Sequence, residues 1–516
     1  MIITDILARN ARMYGGETAL VERIPETGER LEITWQTFHD QSNALANFLR
    51  DIGIRKGDRV VLLMTNSIDW LPLYFGILRS GAAAVPLNFR FTAEDIKRCT
   101  LLCEAKAFIF GYEFIDRINA VKSSLDTCVH TYIYSGPPAL RPDFALSCTD
   151  IISAGDITEV PVPLEPCDLA GIYFTSGTTG APKGVVLKHR QLEFSCYVEN
   201  RHHNQAHDDN FLCIPPLYHT GAKMHWFGNF LVGARSVLLR GVNPRAILEA
   251  VSEEGVTIVW LLVPWAHDII MAVENGEIEL AEYRLDQWRL MHIGAQPVPP
   301  ALIRKWKTYF PNQDYDTNYG LTEATGPGCV HLGLENTHKI GAIGVPGFDW
   351  ECRVVDESLA DLPDDVPGEL LVRGPGVMVA YYKNPEVTAA VLKNGWLHTG
   401  DIVKKDADGF LWLVDRKKDV VISGGENIFP VEIENFLMDH DDIMDAAVIG
   451  LPDERLGEIV AAVIAVKNNR SLTEADVMDY CKALPRYQRP RRIIFEAVPR
   501  NATGKIEKPK LRKKYY

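Results

Sequence analysis

Behind Thr4, apolar residues recur at helical spacing to about residue 14. Residues 18–22 then alternate as a strand does, and Thr34-Trp35 opens a long amphipathic helix ending near Gly53. The run D-R-V-V-L-L-M at 58–64 reads as a compact buried strand, and 67–79 returns to helical spacing. Two more short apolar runs, 82–86 and 107–110, flank a helix over 92–102. Strands alternating with helices in this order predict an α/β architecture with a largely parallel sheet. Residues 136–168, rich in proline and acids, read as a connection leading to the apolar run 169–174. Past it the alternation resumes, with strands at 209–214, 236–239 and 256–262 and a helix over 244–254. Near residue 366 the pattern shifts to short strands and turns, at 368–372, 395–397 and 409–413. The charged break D-R-K-K-D at 415–419 precedes about a hundred residues with βα alternation of their own. The expected division is a large N-terminal domain, 1–417, and a small C-terminal domain, 418–516. A chain of 516 residues exceeds what one hydrophobic core organises.

Composition narrows the class. With 47% hydrophobic and 24% charged residues the chain is an ordinary globular one, and a formal charge of −14 argues against a general nucleic-acid binder. The lysine-rich tail, 505–516, is too short to reverse that balance. The start, M-I-I-T-D, lacks the basic and apolar regions of a signal peptide, and no uninterrupted apolar stretch is long enough to span a membrane. The ten cysteines are scattered without metal-type pairing, so the expectation is reduced thiols in a cytoplasmic protein.

The densest chemistry follows the strand at 169–174. Residues 175–184 read T-S-G-T-T-G-A-P-K-G, four hydroxyl residues and three glycines in ten positions. Glycine lets a backbone turn tightly so that several N–H groups converge on one anion. The hydroxyls of Thr175, Ser176, Thr178 and Thr179 add donors and Lys183 adds charge. This is the chemistry of a polyphosphate-binding loop. It is not a Walker loop, because Lys183 follows Pro182 and precedes Gly184 rather than Ser or Thr.

Five further stretches combine glycine, hydroxyl and charged residues outside any apolar period. They are P-P-L-Y-H-T-G ending at Gly221, N-Y-G-L-T-E ending at Glu323, W-L-H-T-G-D ending at Asp401, S-G-G-E-N-I beginning at Ser423 and N-A-T-G-K ending at Lys505. Each alone is also a turn sequence. Together with the glycine-rich loop and D-R-K-K-D, in this order and over 171–506, they resemble the adenylate-forming superfamily, specifically its acyl-CoA synthetases. The resemblance implies a large domain of α/β subdomains with a β-rich subdomain, and a small, mobile α+β C-terminal domain. It implies use of ATP, Mg²⁺ and coenzyme A on a small carboxylic acid, through an acyl-adenylate, and it allows a homodimer.

Residue by residue, the resemblance places Thr175, Ser176, Gly177, Thr178, Thr179, Gly180 and Lys183 around the β- and γ-phosphates. Glu323 would bind Mg²⁺, with Thr322 near the phosphates. Asn318, Tyr319 and Gly320, with the turn Gly294-Ala295-Gln296, would enclose adenine, and Asp401, helped by Arg416, would hold the ribose hydroxyls. Lys505 would reach the forming acyl-phosphate from the small domain. Lys418 is the implied hinge. Ser423, Gly424 and Gly425 would line the pantetheine tunnel, with Tyr487, Arg489 and Arg491 at the CoA nucleotide. His219 would orient the acid and gate the pyrophosphate site, without acting as a base.

Lys223, Met224, His225, Trp226 and Phe227 are expected at or beside the acyl pocket, with Gly326-Pro327-Gly328 making room at its floor. The aromatics favour a fatty, alicyclic or aryl acid; a Met/Trp/Phe cluster is equally an ordinary core. Three relatives of the reaction compete: a peptide-synthetase adenylation domain, an acyl-AMP ligase serving a carrier protein, and a luciferase-like oxidative use. From another class comes a non-catalytic nucleotide-binding scaffold. Such a scaffold would have lost Lys505, Glu323 or the glycine-rich loop, and all three are intact.

Overall fold

The apolar runs of the large domain separate into two sheets with a layer of helices between them. In the computed structural model, which describes residues 2–175, 182–295, 297–326, 328–467, 470–500 and 505–516, one sheet has eight strands. From one edge these are Ala380–Tyr381, Lys183–Lys188, Leu169–Thr175, Ala83–Pro86, Arg59–Leu63, Ala107–Gly111, Thr131–Ser135 and Leu146–Ser147. The other has seven: Asp314–Asp316, Leu290–Gly294, Ile258–Leu262, Asn210–Cys213, Arg235–Leu239, Thr18–Ile24 and Glu29–Thr34. Interior neighbours run parallel, as the βα alternation requires, except Leu169–Thr175 and Lys183–Lys188, which run antiparallel. Helices Trp35–Asp51, Trp70–Arg79, His189–His203 and Thr220–Leu231 fill the space between, and one core cluster joins residues of both sheets to them. Sandwiching explains their composition: Trp70–Arg79 is buried at every position, and Thr220–Leu231 at all but its last.

Two departures from the periodicity have local causes. Glu29–Thr34 folds back on Thr18–Ile24 as an antiparallel edge strand, four of its six positions exposed, so it carries no buried run to signal it. The connection 136–168 contains the helix Cys148–Ala154, capped by Ser147 Oγ, which accepts from Asp150 N at 3.1 Å. Thr18–Ile24 pairs with Arg235–Leu239, far along the chain, not with the next strand in sequence.

The β-rich texture after residue 345 forms an antiparallel sheet of Glu351–Val355, Gly368–Arg373, Trp396–Lys405, Leu392–Lys393 and Leu411–Arg416. Beyond 419 a separate five-stranded sheet carries helices Pro430–Met438, Glu474–Tyr480 and Lys508–Tyr515, with its own cores. Mixed α/β order, a large N-terminal part and a smaller C-terminal part agree with the sequence reading. All ten cysteines are free.

Gly344 closes the large domain, its carbonyl accepting from Leu411 N at 2.7 Å. Its φ is +115°, and a Cβ there would lie 1.9 Å from the His331 carbonyl carbon. Gly344→Ala is expected to destabilise the domain by about 3 kcal/mol through backbone clash and strain. An unchanged melting temperature would contradict this.

Candidate active site

Two paired strands flank the glycine-rich stretch. Leu169–Thr175 and Lys183–Lys188 pair antiparallel, and Thr175 stands opposite Lys183. Ser176, Gly177, Thr178, Thr179 and Gly180 lie outside the described residues, as do Gln296, Pro327 and residues 501–504. Ala380–Tyr381 adds to the outer edge of Lys183–Lys188, with Tyr381 opposite Val185. That pairing gathers three groups. Tyr381 donates its hydroxyl to Glu323 Oε1 at 2.7 Å, and the Lys183 ammonium lies 5.4 Å from the centre of the Tyr381 ring. Glu323 thus stands beside the phosphate-loop lysine although 140 residues separate them in sequence. Thr322 Oγ1 accepts from Thr220 Oγ1 at 3.2 Å, which ties the Glu323 turn to the start of helix Thr220–Leu231.

Asp401 and Arg416 are cross-strand neighbours on Trp396–Lys405 and Leu411–Arg416. Their side chains meet, Arg416 Nε to Asp401 Oδ1 at 3.1 Å, and Tyr319 donates its hydroxyl to Asp401 Oδ2. Asp401 raises the Arg416 guanidinium above its usual range. The carboxylate is buried (5% exposed), so the charge-assisted contacts are worth more than at the surface. Gly294 ends the strand Leu290–Gly294, and Ala295 takes a positive φ of 70° directly after it, a sharp turn at the strand's exit. A Cβ on Gly320 would press on Gly326 and Gly328.

His219 caps helix Thr220–Leu231, its Nδ1 accepting from Gly221 N at 3.1 Å. This leaves Nε2 to carry the proton of the neutral ring. Burial first, then the charges of Lys505 and Lys223, lower its pKa to about 3. A ring held neutral in this way donates from Nε2 and takes no proton. Lys505 arrives from the C-terminal domain, close enough to interact with Arg416, Asp401, Glu323 and Lys418, and burial lowers its ammonium to about 8. Lys183, the Glu323 turn, Asp401, His219 and Lys505 therefore converge.

Residues 415–419 link the two parts in an ordered sequence of anchors. Lys417 is tied to the large part, its N–H donating to Gly400 O at 2.9 Å and its ammonium to Glu369 at 3.2 Å. Asp419 is tied to the small part through Arg512 at 2.7 Å. Lys418 is the exposed residue between these anchors. Asp415 accepts from Val431 N at 2.9 Å, and burial pushes its carboxyl up to about 6. Ser423, Gly424 and Gly425 lie elsewhere: the two glycines, φ +60° and +87°, are the exposed turn of the hairpin joining Val421–Ser423 to Glu426–Ile428. Tyr487 and Arg491 are exposed, and Arg489 is bonded to the carbonyls of Leu484 and Lys482.

The segment 223–227 divides between two faces of its helix. Lys223 Nζ sits over Tyr173 and Tyr74, 4.5 and 5.0 Å from their ring centres, and burial lowers it to about 7. Met224 accepts from Ser195, and Trp226 donates to Ser236 Oγ at 2.8 Å while packing against Phe230, Phe38 and Phe75. These three, with Phe227, belong to the core between the sheets. His225 instead faces Trp260 and Asn318. Gly326 and Gly328 allow close contact rather than space, since added Cβ atoms would meet Thr220 at 3.0 Å and Asn318 and His331 at 2.8 Å. Tyr381 and Trp260 carried no sequence signal: the first sits in an unremarkable A-Y-Y, the second in the apolar run of a core strand.

Residues 7–382 match the family model of the AMP-binding enzymes, and 432–505 match that of the AMP-binding enzyme C-terminal domain. The chain is 32% identical to a long-chain-fatty-acid–CoA ligase, FadD13, of Mycobacterium tuberculosis, over 92% of each chain. It is 33% identical to a feruloyl-CoA synthase of an Amycolatopsis species over 91% of each. Among solved structures, the anthranilate CoA ligase AuaEII in complex with anthranoyl-AMP superposes with a TM-score of 0.91 at 26% identity, covering all of this chain and 97% of that one. No helix among the described residues is long and apolar enough to cross a membrane. The converging site and these matches agree: the chain belongs to the AMP-binding enzymes, among their adenylate-forming acyl-CoA ligases.

Proposed function

We propose that Lys505, Glu323, Asp401 and His219 divide the chemistry of this ATP- and CoA-dependent ligase among them. The position of Lys505 carries the reading. A half-buried cation from the C-terminal domain lies among Arg416, Asp401 and Glu323 of the large part, beside His219. Activating a carboxylate means bringing its oxygen onto the α-phosphorus of ATP while pyrophosphate departs. Negative charge gathers on both partners, so positioned charge in a closed site is the main lever. Lys505 neutralises the charge between the acid and the α-phosphate. His219 donates Nε2–H toward the acid or the leaving group. Asp401, oriented by Tyr319 and Arg416, accepts from the ribose hydroxyls. Lys183 and the hydroxyl-rich stretch before it hold pyrophosphate.

Glu323 is the residue that fits Mg²⁺, being a hard carboxylate beside Lys183 on the phosphate side; the ion when bound neutralises charge on the departing phosphates. For the second step the CoA thiol must reach the acyl carbonyl, which Lys505 now screens. Rotation about Lys418 clears that side. Lys417 is anchored to one part and Asp419 to the other, so turning at Lys418 breaks neither anchor. The Gly424–Gly425 turn, exposed here, is then free to line the thiol's approach.

Lys505→Ala is expected to lower adenylation, measured by pyrophosphate exchange, by about 100-fold or more. Thioester formation from supplied acyl-adenylate should fall far less; equal loss in both steps would refute the assignment. Lys418→Pro, which fixes φ at the proposed pivot, should spare adenylation and slow thioester formation at least tenfold. Slowing of both alike would remove the hinge. The Lys505 cation is present below pH 8 and lost as pH rises through about 8. kcat/KM for ATP in pyrophosphate exchange, which reports the free enzyme, should therefore fall above that pH. A profile flat to pH 9.5 would show that Lys505 is not the group that matters.

A further inference from the structure

Five histidine and carboxylate side chains that the adenylation chemistry does not use meet where helix His189–His203 faces the strand Leu290–Gly294. Glu199 and His203 lie one turn apart on that helix, and His292 is on that strand. Asp316 ends Asp314–Asp316, and His331 belongs to the short strand Val330–His331. All five are essentially inaccessible to solvent. His203 Nδ1 is 2.7 Å from Glu199 Oε1, while its Nε2 is 2.8 Å from Asp316 Oδ2 and 2.9 Å from His292 Nδ1. Asp316 Oδ1 accepts from Gly333 N at 3.0 Å, which fixes that carboxylate from its other side. Both Asp316 oxygens are therefore satisfied.

Glu199 is not satisfied. Neither of its oxygens has a hydrogen-bond partner in the protein, because Oε1 and His203 Nδ1, though close, are not aligned for one. His203 Nδ1, His292 Nε2 and His331 Nδ1 are likewise buried without partners. So many unpaired polar atoms in one dry place call for a further group to meet them. The charge is unbalanced as well. Glu199 and Asp316 have only histidines within ion-pair distance, and no lysine or arginine among the described residues pairs with either. Arg289 bonds the His203 carbonyl, but its charge is matched by Asp209. Burial would lower His203, yet Glu199 and Asp316 raise it to about 10, while burial keeps His225 and His292 below the usual imidazole range. One imidazolium then faces two carboxylates, and a negative charge is left over where water cannot reach it.

A divalent cation removes both faults. Ligand atoms of Glu199, His203 and His292 lie within 4.8 Å of one another, a spread that one ion with bonds of about 2.0–2.2 Å draws together by small side-chain shifts. Neither Glu199 oxygen has a partner, so three residues can supply four donor atoms, the number a closed zinc site uses. His203 also meets the usual outer-layer condition: with Nδ1 toward the ion, its Nε2–H donates to the Asp316 carboxylate. We propose that Glu199, His203 and His292 form a buried structural zinc site, with Asp316 orienting His203 from behind. Zinc takes the place of the His203 proton, which is released, and its two charges cancel those of Glu199 and Asp316. Imidazole and carboxylate together suit zinc, whereas magnesium and calcium prefer oxygen alone. The site shares no residue with Glu323. It ties helix His189–His203 to the strand whose last residue, Gly294, leads into the Ala295 turn.

The test is the metal content of tag-free protein made in zinc-supplemented medium and exchanged into metal-free buffer. About one zinc per chain is expected by plasma mass spectrometry. Glu199→Gln and His292→Asn should each bring this to about a tenth or less. Asp316→Asn, acting through His203, should weaken zinc about 10–100-fold in competition with a chelator. His207→Ala, at an exposed histidine outside the array, should leave the content unchanged. Two measurements on the parent need no variant to fold. Protein made with cobalt in place of zinc should show the visible absorption bands of a four-coordinate ion, and zinc-depleted protein should melt several degrees lower and recover on addition of zinc. Parent protein with neither zinc nor cobalt bands would overturn the proposal and leave the His203 proton as the cation of the array. Zinc retained in full by both Glu199→Gln and His292→Asn would overturn it too, by placing the ion elsewhere.

Discussion

A lysine of the C-terminal part set among charged groups of the large part is the constraint behind the rest of this structure. Burying an ammonium costs several kcal/mol unless opposite charge receives it. Lys505 is received by Asp401 and Glu323, and opposed by Arg416 and Lys418, which leaves it near pH 8 rather than at its usual value. Beside it Asp401 pairs with Arg416 and Tyr319, and Glu323 with Tyr381.

Helix Thr220–Leu231 connects the Glu323 turn to the core between the sheets. Its first residues cap at His219 and tie to the Glu323 turn through Thr220. One flank, carrying Lys223, Met224 and Trp226, is locked into the core between two sheets. His225, on the other flank, meets Asn318 two residues after Asp316 and five before Glu323. The Glu323 turn and the residue that His225 meets are thus parts of one short segment. A buried lysine over two tyrosine rings, with its pKa lowered to about 7, shows how fully that flank is closed to water.

Much of this was legible from residues alone, for reasons that differ by element. Parallel strands buried on both faces give uninterrupted apolar runs, so 58–64 and 256–262 were plain, whereas the exposed edge strand Glu29–Thr34 left no trace. The catalytic-type residues stood out because glycine, hydroxyl and charge at fixed spacing violate both helical and strand periods. Trp260 was invisible for the opposite reason: it obeys the period of its strand, and pattern cannot show that its indole N–H is buried unpaired. Trp226 and Met224 looked like pocket residues because they follow the histidine motif, and a helix turning 100° per residue put them on the core side instead.

By itself, then, the order of amino acids determined the α/β class, the break at 415–419 and the chemistry of phosphate, ribose and acyl transfer. These depend on local period and on residue type, both of which are written along the chain. Only the tertiary structure decided that Tyr381 serves Glu323 and that Lys418 is the residue between two anchors. Only it decided that His203, His292 and Asp316 meet in the core. Those facts rest on contacts between distant segments, such as Tyr381 with Glu323, 58 residues apart, and His203 with Asp316, 113 apart, and chain folding, not local pattern, brings such segments to hydrogen-bonding distance.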